Sequence, residues 1–186
     1  MLLFQYLDAL PAIPKDLIDN MSIGDNLIST KPNSVLEATY ARWAINDELI
    51  DWLHTNISTN IERAGLQKIT WTDWAPAYRR AVRPHCDLRQ WAINYIIELG
   101  GPEVTTTFYR QPGFPVVREP CTTILDDSKL IILEQKIVEP NRWHILNTNV
   151  LHGIENAVTQ RQAITVGLTT NNPFDVIKGY SGLFDF

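Results

Sequence analysis

The chain has very few cysteines. Its 186 residues include only two, Cys86 and Cys121, which can form one bridge at most. It therefore lacks the disulfide framework of small secreted domains, and we expect a reducing, cytoplasmic environment. The opening stretch MLLFQYLDALPAIPKDL has no basic start and reaches Asp8 after seven residues, so it does not resemble a signal peptide.

Long apolar runs and basic clusters are also missing. No run approaches the roughly 18 apolar residues of a membrane-spanning helix, so no membrane association is expected. The net charge is −5 and no block of Lys and Arg occurs, which leaves no clear nucleic-acid-binding surface. What is present, 45% hydrophobic and 20% charged residues, is typical of a globular chain long enough for one domain over residues 1–186.

Residues 1–60 are predicted to form an arm and short helices that pack on the rest of the chain. Ser34 and Glu37 have capping-box spacing, which predicts a helix from Ser34 to about Trp43. Asn46 is suited to cap a further helix. Before these helices we expect a strand or extended arm over Leu2–Leu7, a helix around Pro14–Met21 and a loop over 22–33.

Beyond residue 60, β-branched and aromatic residues occur in short runs separated by turn residues. Many strands without intervening helices predict an antiparallel sandwich or barrel, with its core over 61–175. The apolar segment 176–186 is expected to dock on this core. The predicted strands are Leu66–Trp71, Ala77–Arg83, Trp91–Leu99, Val104–Arg110, Leu130–Val138, Trp143–Asn147 and Ala163–Thr169.

Three residues form a candidate metal site. His85 and Asp87 are two residues apart, so on an extended chain their side chains share a face. About 65 residues later, His152 follows a predicted strand. Two imidazoles and one carboxylate, with further positions open, are typical of non-haem Fe(II) oxygenases. The isolated His-x-Asp pattern also occurs in solvated turns. Here the interpretation as a metal site depends on the order of the motifs along the chain and on the predicted strands beside them.

Arg161 lies nine residues after His152 and opens the predicted strand RQAITVGL. A guanidinium buried there would need an anionic partner, which a dicarboxylate could supply through paired hydrogen bonds. The alternative is an exposed arginine at the start of a strand.

The chain resembles the Fe(II)- and 2-oxoglutarate-dependent oxygenases in HCD at 85–87, LHGIEN at 151–156 and Arg161. Its sequence pattern is most similar to that of the small prolyl and aspartyl/asparaginyl hydroxylases. The resemblance covers about half the chain. It implies a mainly β protein with a double-stranded β-helix, a jelly-roll or cupin-like barrel, and N-terminal α-helices packed on one sheet. It also implies Fe(II), 2-oxoglutarate and dioxygen, with His85, Asp87 and His152 as catalytic metal ligands and Arg161 on the distal carboxylate.

The sequence departs from the family at the co-substrate pocket. Many relatives carry a hydroxyl two positions after the basic residue, but here that position is Ala163, with Thr165 further on. Relatives often use a strand tyrosine to bond the same carboxylate. Asn94 and Tyr95 are the candidates, and strand alternation lets at most one of them face inward.

The resemblance implies an enzyme that hydroxylates a C–H bond of a prolyl, aspartyl or asparaginyl side chain or of a small molecule. Two alternatives stay open. One is a cupin-like metal protein that does not use 2-oxoglutarate. The other is a non-enzymatic β-sandwich interaction module, which predicts that His85, Asp87 and His152 lie apart. The oligomeric state is not indicated by the sequence.

Overall fold

The structure is a computed structural model that describes residues 1–21, 27–32, 38–71, 80–87, 89–117, 128–168, 170 and 172–180. These residues form eleven strands, two α-helices and a short 3₁₀ turn at Pro173–Asp175. In chain order the elements are β1 Phe4–Tyr6, α1 Lys15–Asp19, β2 Leu27–Pro32, β3 Ala38–Trp43, α2 Asp47–Asn56, β4 Ile61–Trp71, β5 Arg80–His85, β6 Trp91–Leu99, β7 Thr105–Arg110, β8 Ile131–Ile137, β9 Trp143–Asn147, β10 Leu151–Glu155 and β11 Arg161–Leu168.

The protein is mainly β, with two sheets in which the described strand pairs are antiparallel. The larger sheet has the order β1-β9-β6-β11-β4-β3-β2, and the smaller one has the order β5-β10-β7-β8. From β4 to β11 the chain changes sheet at every connection except the one between β7 and β8. Residues adjacent in the smaller sheet, such as those on β5 and β10, are therefore far apart in sequence.

Alternation along the strands gives the larger sheet two buried faces. On β11, Ile164 and Val166 pack with Leu49 and Leu53 of α2 in the core beneath the helices. Ala163, on the opposite face, packs against Phe108 of the smaller sheet. The space between the sheets is thus a second core, and side chains that share the face of Ala163 point into it.

Helix α2 begins where the sequence predicted. Its N-cap Asn46 accepts a hydrogen bond from the backbone N–H of Leu49 at 3.3 Å. Near the other end of the chain, Ile177 and Tyr180 are buried in the helix-side core, and the N–H of Lys178 donates to the carbonyl of Ile57. The remainder of the predicted docking segment, 181–186, lies outside the described residues.

Two predictions for the N-terminal region are wrong. Residues 27–32 of the predicted loop form β2, and 38–43 of the predicted helix form β3, which pairs with β4. The helices are therefore interleaved with strands and do not form an N-terminal helical segment. The capping-box residue Ser34 lies outside the described residues. In the described part of the chain, no helix has the length and apolar character needed to span a membrane.

Candidate metal centre

Pairing between β5 and β10 brings two histidines together. His85, the last residue of β5, lies directly opposite His152 on β10. Their ring centroids are 4.5 Å apart. The strands approach closely here because the next residue is Gly153: an ideal Cβ at that position would lie 2.6 Å from the carbonyl oxygen of Val82. Glycine therefore permits the contact that aligns the two imidazoles.

Both imidazoles are held with the same nitrogen turned away from the centre. Nδ1 of His85 lies 2.8 Å from the carbonyl oxygen of Arg83, and Nδ1 of His152 lies 3.0 Å from that of Val150. Since a carbonyl oxygen only accepts, each Nδ1 must carry the hydrogen. In the neutral rings the lone pairs are therefore on Nε2, the arrangement of a metal-binding histidine fixed by a carbonyl.

Asp87 is positioned by the turn that leads into β10. Its backbone N–H donates to the carbonyl of Thr148 at 2.9 Å. The backbone N–H of Thr148 donates to the backbone carbonyl of Gln90 at 2.8 Å, and the Thr148 hydroxyl donates to the backbone carbonyl of Arg89. The segment carrying Asp87 is thus fastened to the β9–β10 turn, only a few residues before His152. Ligands distant in sequence are held by one hydrogen-bonded unit.

The three side chains meet as an electron-rich cluster. One ligand atom from each of His85, Asp87 and His152 lies within 4.8 Å of the others. The gap between Nε2 of His85 and Oδ1 of Asp87 is 3.4 Å. A proton shared between these two atoms, or a cation bound between them, would offset the repulsion of their lone pairs. The donor set, two imidazole nitrogens and one carboxylate oxygen, fits a divalent first-row metal.

Charge within the cluster favours the metal-binding protonation states. Burial alone would raise the pKa of Asp87, but its hydrogen bond with His85 and the positive charge of Arg89 outweigh burial and hold the pKa well below its usual range. Burial, together with repulsion from His85, lowers the pKa of His152 to about 4. At neutral pH Asp87 is therefore ionised and His152 is neutral.

Arg89 follows the metal motif in the sequence, where it could be either a contact for co-substrate or substrate or a surface charge, and in the structure it connects two predicted site residues. Its Nε donates to Oδ2 of Asp87 at 3.2 Å, and its Nη2 donates to the hydroxyl of Thr165 at 3.2 Å. Its Nη1 is buried and has no hydrogen-bond partner among the described residues. The spacing Asp-x-Arg was the available signal, because it places both side chains on the same side of an extended segment.

Arg161 is buried at the start of β11. Its Nη1 donates to the carbonyl of Leu99 at 3.0 Å. In the described part of the chain, no acidic side chain forms an ion pair with it. Burial lowers the pKa of Arg161 to about 10, so the guanidinium remains charged at neutral pH. A buried cation without a counter-charge is costly, and an anionic ligand would offset that cost.

A polar row crosses the larger sheet on its inward face. His144, Asn94 and Thr165 lie directly opposite one another on β9, β6 and β11. Both ring nitrogens of His144 and Oδ1 of Asn94 are buried without a hydrogen-bond partner among the described residues. Tyr95 lies on the other face, where its ring packs on Trp143 with centroids 5.0 Å apart. Of the two candidates, Asn94 is therefore the one that faces the space between the sheets.

The unpaired His144 makes stability depend on pH. Burial, followed by the charge of Arg161, lowers its pKa to about 3, against 6.5 in an exposed histidine. The unfolded chain thus binds a proton that the folded chain excludes, and stability is lost as pH falls from about 6.5 towards 3. With a chelator present, His144→Phe should reduce the slope of the unfolding free energy by about 1.4 kcal/mol per pH unit.

Urea denaturation across this pH range measures the slope. Phe4 stacks on the His144 ring at a centroid distance of 5.1 Å, so Phe4→Leu perturbs the same contact without removing a titrating group. We expect Phe4→Leu to lower stability equally at each pH and to keep the wild-type slope. An unchanged slope in His144→Phe would contradict the assignment of a buried neutral imidazole.

Comparison with known proteins gives distant structural similarity only. No protein-family model matches the chain, and no curated protein matches it. A solved structure described as the X-ray structure of E. coli ycfD is 13% identical in sequence and superposes with a TM-score of 0.45. The match covers 91% of this chain and 50% of that protein, so the chain spans about half of its length. Similarity this remote carries no inference about activity.

Proposed function

We propose that the chain is an Fe(II)- and 2-oxoglutarate-dependent dioxygenase that hydroxylates a C–H bond. The observation that carries the proposal is the convergence of His85, Asp87 and His152 within 4.8 Å. Both Nδ1 atoms are engaged by carbonyls, which leaves three ligand atoms directed at one point. The convergence also argues against the interaction-module alternative, which predicts that these side chains lie apart.

Nε2 of His85, a carboxylate oxygen of Asp87 and Nε2 of His152 would hold the iron. Three protein ligands leave positions open for substrates, whereas a closed structural site fills all of its positions with side chains. When bound, iron and 2-oxoglutarate would supply the activation of dioxygen and the hydroxylation chemistry. The residues of the chain hold the ligand atoms in register, and the charge of Arg89 helps to keep Asp87 ionised.

The co-substrate site is proposed at the polar groups between the sheets. Arg161 is buried without a carboxylate partner among the described residues, which suits the distal carboxylate of 2-oxoglutarate. The row of His144, Asn94 and Thr165 supplies further polar atoms, several of them unpaired in the described structure. Because buried polar groups normally have partners, unpaired ones facing a common space favour a polar ligand there.

The strand order supports a double-stranded β-helix as the fold. The core strands form two four-stranded layers, β4-β11-β6-β9 and β5-β10-β7-β8, and the chain passes back and forth between them. Two such antiparallel layers linked by crossing connections are the arrangement of jelly-roll and cupin barrels. In this fold the ends of β5 and β10 would form the open mouth at which the metal is held.

The substrate is proposed to be a prolyl, aspartyl or asparaginyl side chain or a small molecule that enters beside the metal. About a quarter of the side-chain surface of His85 and of Asp87 is exposed, while His152 is buried. The reacting C–H bond would therefore approach from the side of the β5 terminus. Val117 pairs with Val150, two residues before His152, so the exposed segment 111–117 lies beside this approach.

Anaerobic titration tests the function. Fe(II) is expected to raise the melting temperature, and 2-oxoglutarate added afterwards should raise it again and produce a visible charge-transfer band. Succinate, which lacks the keto oxygen, should give no such band and serves as the control. A metal effect with no response to 2-oxoglutarate would favour the cupin-like alternative, and no response to either would contradict the metal site.

A further inference from the structure

Strand β8 has an unusual surface for the edge of a sheet. It is the outermost of the described strands in the smaller sheet, with β7 as its one described neighbour. Six of its seven residues are exposed and the seventh is half-buried. Four of them are large and apolar: Ile131, Ile132, Leu133 and Ile137, of which Ile137 is 61% exposed. An apolar edge strand of this length is a template for pairing with another strand.

We infer that β8 joins two copies of this chain by antiparallel edge-to-edge pairing centred on Gln135. The sequence of the strand is complementary to itself about this residue. Pairing centred there places Glu134 opposite Lys136 of the second copy, within the part of β8 that pairs regularly with β7. This pair occurs twice because the interface has two-fold symmetry. Opposite charges placed directly across from each other stabilise antiparallel strands.

Other symmetric registers are less favourable. Hydrogen-bonded and non-hydrogen-bonded pairs alternate in an antiparallel ladder, so a two-fold axis must pass through a residue facing its own copy. An axis through Glu134 or Lys136 would place like charges opposite each other. An axis through Leu133 would place Glu134 against Ile132. Among the axes within this strand, only the one through Gln135 places Glu134 opposite Lys136.

Within one copy, Glu134 and Lys136 already form an ion pair of 3.2 Å on one face of the strand. Both side chains remain partly exposed, so the second copy can add its own pair beside the first and form a four-charge network. The two smaller sheets would then become one continuous eight-stranded sheet, well separated from His85 and Asp87 at the other edge strand, β5.

Charge-reversal variants test the pairing. We expect the wild-type chain to dimerise in sedimentation equilibrium. Glu134→Lys and Lys136→Glu should each raise the dissociation constant about tenfold or more, because each places like charges across the axis. An equimolar mixture of the two variants should associate again, since lysines of one then face glutamates of the other. The ion pair within each copy is lost in both variants, so recovery on mixing can come only from contacts between copies.

Circular dichroism and the Fe(II)-dependent rise in melting temperature verify that each variant is folded. A wild-type chain that stays monomeric over the whole concentration range would overturn the inference. It would also be overturned by a dimer that both variants leave intact, which would place the interface elsewhere. Variants that lose association and do not regain it on mixing would show that Glu134 and Lys136 do not face each other.

Discussion

Replacing Asp87 by asparagine is expected to weaken Fe(II) binding by about 100-fold or more. Loss of a group that only supports a ligand typically costs about 10–100-fold in metal affinity, so loss of a ligand should cost more. Asparagine keeps the size of the side chain but removes its charge, leaving two neutral imidazoles to bind a divalent cation. The positive charge of Arg89, whose Nε contacts Asp87 at 3.2 Å, then opposes the metal without compensation.

Anaerobic calorimetry with Fe(II), or with Co(II) as a spectroscopic substitute, measures this loss. Asp19→Asn is the matched control, because Asp19 forms an exposed ion pair with Lys15 at the end of α1. The control should bind metal with wild-type affinity. At Fe(II) concentrations sufficient for wild-type activity, Asp87→Asn should also show no turnover. Wild-type metal affinity in Asp87→Asn would remove the carboxylate from the proposed ligand set.

The three converging residues could be predicted from the sequence because two of them are close together in the chain. His85 and Asp87 are two residues apart, and this spacing alone directs them to one side of an extended chain. The position of His152 required the β5–β10 pairing, and β10 itself was not predicted as a strand. Gly153 interrupts it, and glycine weakens a strand pattern. The reason for a glycine at position 153 is visible only in three dimensions, where the carbonyl of Val82 occupies the place of a side chain.

Strands β6 and β9 were predicted with their observed bounds, whereas β3 was mistaken for a helix. The prediction of a helix rested on Ser34 and Glu37, a signal that describes only local hydrogen bonding. What makes 38–43 a strand is its pairing with β4, a tertiary interaction that overrides local propensity. Asn94 and Thr165 were candidates from the sequence, but His144 was missed for the same reason, since the three residues meet only through the registers of three strands.

Replacing Arg161 by methionine is expected to separate co-substrate binding from metal binding. Methionine fills similar space without charge, so 2-oxoglutarate should bind about 100-fold or more weakly to the Fe(II)-loaded variant, in the range for removing one partner of a buried charge pair. Fe(II) affinity should stay at its wild-type value, because none of the described contacts of Arg161 involves His85, Asp87 or His152. Its retained metal binding would distinguish this variant from Asp87→Asn.

The same variant should be at least as stable as the wild type before any ligand is added. The guanidinium of Arg161 is buried without an acidic partner among the described residues, and replacing such a charge by an apolar side chain is often neutral or stabilising. Thermal unfolding without metal measures this, with the exposed Arg110→Met as the matched control. A large loss of stability would mean that Arg161 has a structural counter-charge. Unaltered 2-oxoglutarate binding would place the distal carboxylate elsewhere. Retained stability together with weakened 2-oxoglutarate binding follows only if the anion that pairs with Arg161 is the co-substrate.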